Sequence, residues 1–192
     1  MPLDRDRFDY KDAVNTVSVA MSELGTGPLA ELRRMDIGGA GCAAFWDLAT
    51  KGGLLDQTRF DPWMRLVKIM AILTPKGERS KGVVLHKPSR RLGAVLCDGG
   101  DPGWTDEHRP FLSESRLARF LAQPADHHGP ALERIARALA NHLIPESGLD
   151  CVAVAALLLF PDSGTTRQAL ARDYYRRLDS ANHPAKPEEA DA

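Results

Sequence analysis

The chain has 192 residues, of which 43% are hydrophobic and 27% charged, with a formal net charge of −1. That length suits one core or two small packed lobes, and no apolar run approaches the roughly 20 residues that span a bilayer, so no membrane partner is expected. A pI near 6.6 lacks the cationic excess of a free-standing DNA-binding domain.

The segment Met1 to Asp12 alternates acidic and basic residues without the apolar centre of a secretory signal, which predicts a cytoplasmic protein. The cysteines, Cys42, Cys97 and Cys151, lie far apart in apolar company and read as reduced, buried thiols. Charge is unevenly spread. From Arg59 to Arg91 nine basic residues face two acidic ones, a net of +7, and the sign reverses from Asp98 to Glu114. One face of a neutral protein is then basic, which suits a subunit whose neighbours supply part of its affinity for nucleic acid.

In chain order, Tyr10, Val14, Val17 and Met21 build the apolar stripe of a first helix starting near Asp9 and closing at Leu24-Gly25. Gly27-Pro28 opens a second, with Leu29, Leu32 and Met35 inward and Arg33 and Arg34 outward. After Gly38 to Gly41 a short third helix is expected to bury Phe45, Trp46 and Leu48. The fourth, following Asp61-Pro62, carries Trp63, Leu66, Val67, Met70 and Leu73 at helical spacing, with Arg65 and Lys68 opposite.

Residues 75–91, rich in glycine, proline and charge, read as a flexible basic loop ending in Arg90 and Arg91, with Val83-Val84-Leu85 as a short strand. A brief helix over Leu92 to Leu96 precedes the turn-rich Asp98 to Gly103, the expected lobe boundary. Ser113 caps a helix with Leu117, Phe120 and Leu121 inward and Arg116, Arg119 and Gln123 on its other face. Pro124 to Gly129 reads as a loop with solvated His127 and His128. It leads to a helix with Leu132, Ile135, Ala136, Leu139 and Leu143 inward and Arg134, Arg137 and Asn141 outward. Asp150 caps the wholly apolar Cys151 to Phe160, whose alanines and leucines favour helix over strand. A last helix from Asp162-Ser163 carries Leu170, Tyr174 and Leu178 inward and Arg167 near its start.

These elements predict an all-α fold of two small packed bundles with about eight to nine helices. The lobes are 1–100, with basic loop 75–91, and 101–179, followed by a disordered acidic tail over 180–192.

Catalytic chemistry needs convergent groups, and those here are scattered. His127, His128, His142 and Cys151 lack zinc-ligand spacing. Gly38 to Cys42 lacks both the lysine of a phosphate loop and a base for a thiolate. No metal, cofactor or enzymatic activity is expected. The cations are grouped instead: Arg116 with Arg119, Arg134 with Arg137, and Arg65 with Lys68 stand one helical turn apart, a spacing that addresses successive phosphates without reading sequence.

Five short segments then follow in order: Leu29-Ala-Glu-Leu-Arg-Arg-Met35, Ala43-Ala-Phe-Trp-Asp-Leu48, Leu92-Gly-Ala-Val-Leu96, Ser113-Glu-Ser-Arg-Leu-Ala-Arg-Phe-Leu121 and Leu170-Ala-Arg-Asp-Tyr-Tyr175. From about Pro28 to Leu178 this pattern resembles the CasB family, the small subunit of the type I-E CRISPR surveillance complex Cascade. The resemblance implies a non-catalytic, all-helical subunit of antiviral defence, two copies of which stack in the complex beside its backbone subunits and large subunit. There it helps hold crRNA and the target and displaced strands of an R-loop. It assigns nucleic-acid contacts to Arg33, Arg34 and Arg116, to Arg167 near the opening of the last helix, and more loosely to Arg65 and Lys68. Asp47 and Pro124 depart from the family pattern at positions that it fills with basic residues. Together with the spacing argument, the expected contact set is Arg33, Arg34, Arg65, Lys68, Arg90, Arg91, Arg116, Arg119, Arg134, Arg137 and Arg167. The alternative is a helical protein-interaction scaffold without nucleic-acid contact.

Overall fold

Nine helices account for the regular structure of the described residues, with no strand among them. The structure is a computed structural model that describes residues 8–75, 83–105, 109–144 and 146–182. The helices are α1 (Tyr10–Ser22), α2 (Thr26–Arg34), α3 (Ala43–Lys51), α4 (Asp61–Leu73), α5 (Leu92–Asp98), α6 (Glu114–Leu121), α7 (Ala125–Leu139), α8 (Cys151–Leu159) and α9 (Gly164–Asn182). The chain is all-α. None of its described helices is long and apolar enough to cross a membrane.

Helix α4 is the central post, because more than one of its faces is apolar. Met64, Ile69, Ala71 and Ile72 are buried along with the predicted stripe of Trp63, Leu66, Val67, Met70 and Leu73, and α2, α7 and α8 all pack on it. Arg65 and Lys68, on this helix, are half-buried. Helix α8 is a second buried post. Asp150 accepts hydrogen bonds from the backbone N–H groups of Val152 and Ala153, which starts the helix that composition favoured over a strand. The buried side chains, from Val14 on α1 to Tyr174 on α9, form one continuous cluster.

Four expectations are corrected. Trp46 does not turn inward: it is exposed, its indole N–H donates to the Ala40 carbonyl at 2.9 Å, and its ring lies edge-on to Phe45 and Phe60. Residues Ala125 to Gly129 are not a loop but the start of α7. Pro130 is tolerated within this helix because the carbonyl that its missing N–H would have bonded, that of Asp126, belongs to an exposed residue of the first turn. His128 is therefore buried, not solvated.

The third correction concerns 75–91. Residues 76–82 lie outside the described residues, but the end of the segment is pinned. A single parallel bridge joins His86 to Leu149 in place of a strand at Val83 to Leu85. The Cys151 N–H donates to His86 Nδ1 at 3.0 Å and the Asp150 N–H to the Arg90 carbonyl at 2.8 Å. The expected tail falls partly within α9, which runs to Asn182, and from 183 onward lies outside the described residues.

Candidate nucleic-acid interface

The expected contact residues divide into three groups: those held by groups of the fold, three that share one groove, and Arg34, Arg91 and Arg167, which stand elsewhere. Arg33 closes the end of α4: its Nε donates to the Ala71 carbonyl at 2.8 Å and its terminal nitrogen to the Thr74 carbonyl at 2.9 Å. Such carbonyls lack partners within the helix, so a cation placed on them is a capping group. Arg65, Lys68 and Arg137 converge on one carboxylate, Glu133 of α7, at 3.2, 3.2 and 2.7 Å, and Lys68 also donates to the Met35 carbonyl. Burial pushes the Glu133 carboxyl pKa up, but hydrogen bonds from Arg137 and Lys68 more than offset this and hold it below its usual range. Glu133 thus ties α4 to α7, and the two sequence pairs Arg65–Lys68 and Arg134–Arg137 are each committed to it in whole or in part.

Arg90 is likewise held, on the buried carboxylate of Asp98 at 3.1 Å. Arg167 is half-buried on α9 near His128. Arg34, at the end of α2, and Arg91, at the start of α5, are exposed on other parts of the surface.

Arg116, Arg119 and Arg134 differ. All three are exposed and make no ion pair among the described residues, and they line one groove of about 390 Å³ between α6 and α7. Helix geometry explains the arrangement. Leu117 and Phe120 fix the inner face of α6, which turns Arg116 and Arg119 outward one turn apart. Ala131 and Leu132 fix α7 so that Arg134 stands across from them. The floor is apolar, formed by Phe111, Leu112, Phe120 and Ile135.

The groove continues past Arg116, Phe111 and Ala138 into a wider cavity of about 660 Å³ bordered by Trp104, Arg109 and His142. The Trp104 side is braced by Arg177, which bonds Asp98 at 2.9 Å and the Pro102 and Trp104 carbonyls at 3.1 and 2.8 Å, with its guanidinium 5.3 Å from the Trp104 ring centroid. Sequence spacing finds Arg116 with Arg119. It does not find Arg109, Trp104 or His142, which only the packing of α5, α7 and α9 brings together.

The chain matches no family model, no curated protein and no solved structure.

Other groups singled out by the sequence lie apart. Among the described residues no three His, Cys, Asp or Glu side chains converge as a metal site. Cys42 is half-buried, with its thiol 3.9 Å from the Met35 sulfur. Burial pushes the Cys97 thiol up to about 12 and Cys151 higher still, which keeps both as inert thiols at neutral pH.

His128 is fully buried against the Phe120 ring, their centroids 5.2 Å apart, and neither ring nitrogen has a well-formed hydrogen bond among the described residues. Burial and the Arg167 guanidinium push its pKa down, opposed more weakly by the Phe120 and Pro161 backbone and by Asp126. Folding therefore favours the neutral ring. Its contribution to stability is complete above the ordinary histidine value and is lost as pH falls through it towards the depressed folded value. Between pH 7 and 5 the wild-type chain should lose stability faster than His128→Leu, by at most ~1.4 kcal/mol per pH unit. Thermal unfolding across that range reads the difference, and parallel curves would remove His128 as the cause.

Proposed function

We propose that this chain is a non-catalytic nucleic-acid-binding subunit that lays the phosphates of a strand along the α6–α7 groove, in the manner of the CasB small subunit of Cascade. The observation that carries the reading is the groove itself, where Arg116, Arg119 and Arg134 stand exposed without acidic partners among the described residues. The ordered motifs from Leu29 to Tyr175 support it, since Arg116 lies in one of them.

In this role the chain works in the cytoplasm beside backbone subunits, a large subunit and a second copy of itself, and holds crRNA and single-stranded DNA of an R-loop. Heteroduplex and parent duplex are nearly balanced, so a few backbone contacts tip the exchange. The near-neutral total charge fits a protein that binds tightly only as part of an assembly.

A gel shift with single-stranded DNA at low salt, with the chain alone and with type I-E partner subunits and guide RNA, tests this. The expected result is weak binding alone, stronger binding in the assembly, and a loss of roughly tenfold or more in both with Arg116→Ala, Arg119→Ala and Arg134→Ala combined. Wild-type affinity in the triple variant would overturn the reading and leave a helical interaction scaffold in its place.

A further inference from the structure

The wide end of the groove contains more than phosphate contacts require. A strand held by its backbone alone needs cations at suitable spacing, yet this cavity of about 660 Å³ has ring walls. Phe111 and His142 lie edge to face, their centroids 5.3 Å apart at 62°, and Trp104, with Arg177 on its ring, also lines the cavity. Arg109 and Arg116 stand exposed at the cavity, without ion pairs among the described residues.

Among the described residues, the carboxylates lining the cavity are of two kinds. Asp98 is buried and matched by Arg90 and Arg177. Asp101 is exposed, accepts the Gly103 N–H at 2.8 Å, and retains lone pairs for another donor. Cations beside aromatic faces and a hydrogen-bond acceptor match an unpaired nucleotide, which offers a phosphate, a π-face and ring amino groups together. Duplex nucleic acid hides the last two. An acidic helical peptide would use the cations but would set its carboxylates against Asp101 and leave the ring walls without a role.

We propose that this cavity seats one unstacked nucleobase of a single strand whose adjoining phosphates lie on Arg109 and Arg116. The proposal rests on the nucleic-acid reading above and adds that the base itself is gripped. Single strands are then preferred to duplex with little dependence on sequence, because every base presents a π-face.

The test compares binding of the full chain, at low salt, to oligothymidylate of about 15 nucleotides and to an abasic deoxyribose-phosphate chain of the same length. The abasic chain should bind about tenfold more weakly, and His142→Ala should narrow that gap to about twofold. Phe111→Leu, which keeps apolar volume against the core, should narrow it similarly. His142 is exposed, so its variant keeps the test valid should the Phe111 variant fail to fold. Equal affinity of the wild-type chain for both ligands would overturn the base seat while leaving the phosphate reading intact. Binding to neither would overturn both, and capture of an acidic amphipathic peptide in that case would make the surface a protein-docking site.

Discussion

Replacing Asp98 with alanine is expected to destabilise the fold by about 3 kcal/mol, the cost of leaving two half-buried guanidiniums without their buried counter-charge. A carboxylate at the C-terminal end of a helix is unfavourable by itself, because the helix dipole is negative there. Asp98 is the last residue of α5 and its side chain is fully buried, so its presence depends on Arg90 and Arg177, both within 3.2 Å. It also accepts the Gly100 N–H at 2.9 Å just after Gly99 turns the chain at φ 66°. Without the carboxylate two guanidiniums lose their partner, and Arg177 loses one of the bonds that hold it against Trp104. Asp98→Asn keeps the shape and the Gly100 bond and should lie between alanine and wild type. Chemical denaturation measures all three, and an Asp98→Ala cost below about 1 kcal/mol would show that the arginines find equivalent partners in water.

The second large effect is at Gly93. Helices α5 and α9 approach so closely there that a Cβ would collide with the Leu170 carbonyl oxygen and lie 2.6 Å from the Tyr174 nitrogen. Both are backbone atoms, so no rotamer change relieves the overlap and the helices must separate. Tyr174 is fully buried and its hydroxyl donates to the Leu112 carbonyl at 2.6 Å, so separation also strains the joint that positions the start of α6. Gly93→Ala should cost about 3 kcal/mol or more, the upper range for overpacking. Gly27→Ala is the contrast. Nothing lies within 4 Å of its Cβ and it sits inside α2, so the change should be neutral or stabilise by up to ~1 kcal/mol. Similar effects at the two glycines would contradict the close approach.

These sites show where the sequence was readable and where it was not. The stripe of α4 and the Asp150 cap of α8 are local patterns, with spacing and end chemistry contained in a dozen residues, so they announce their helices. The start of α7 was hidden because Pro124, Gly129 and Pro130 carry loop chemistry that tertiary packing of His128 and Ala131 overrides. Arg65 and Lys68 read as a cationic pair for phosphates because their partner, Glu133, lies more than 60 residues away in sequence. Arg33 looked like a surface cation for the same reason. At the groove, Arg116 with Arg119 was legible as two cations one turn apart. Arg134 across from them, and the ring wall of Trp104, Phe111 and His142, depend on how α7 meets the connector after α5. One signal was available: a charged residue at the wrong end of an apolar helix, Asp98, points to cations packed against it.

The proposed function assigns phosphate neutralisation to the exposed arginines of the α6–α7 groove, whereas Arg33, Arg65, Lys68 and Arg90 are held by groups of the fold itself. The salt dependence of single-strand binding tests it most directly, because each neutralised phosphate contributes about 0.7 to the slope of log affinity against log salt. The triple variant Arg116→Ala, Arg119→Ala, Arg134→Ala should show a slope shallower by about two. Lys51→Ala, whose charge is paired with Asp47 on α3, should leave it unchanged. An unchanged slope in the triple variant would contradict the account.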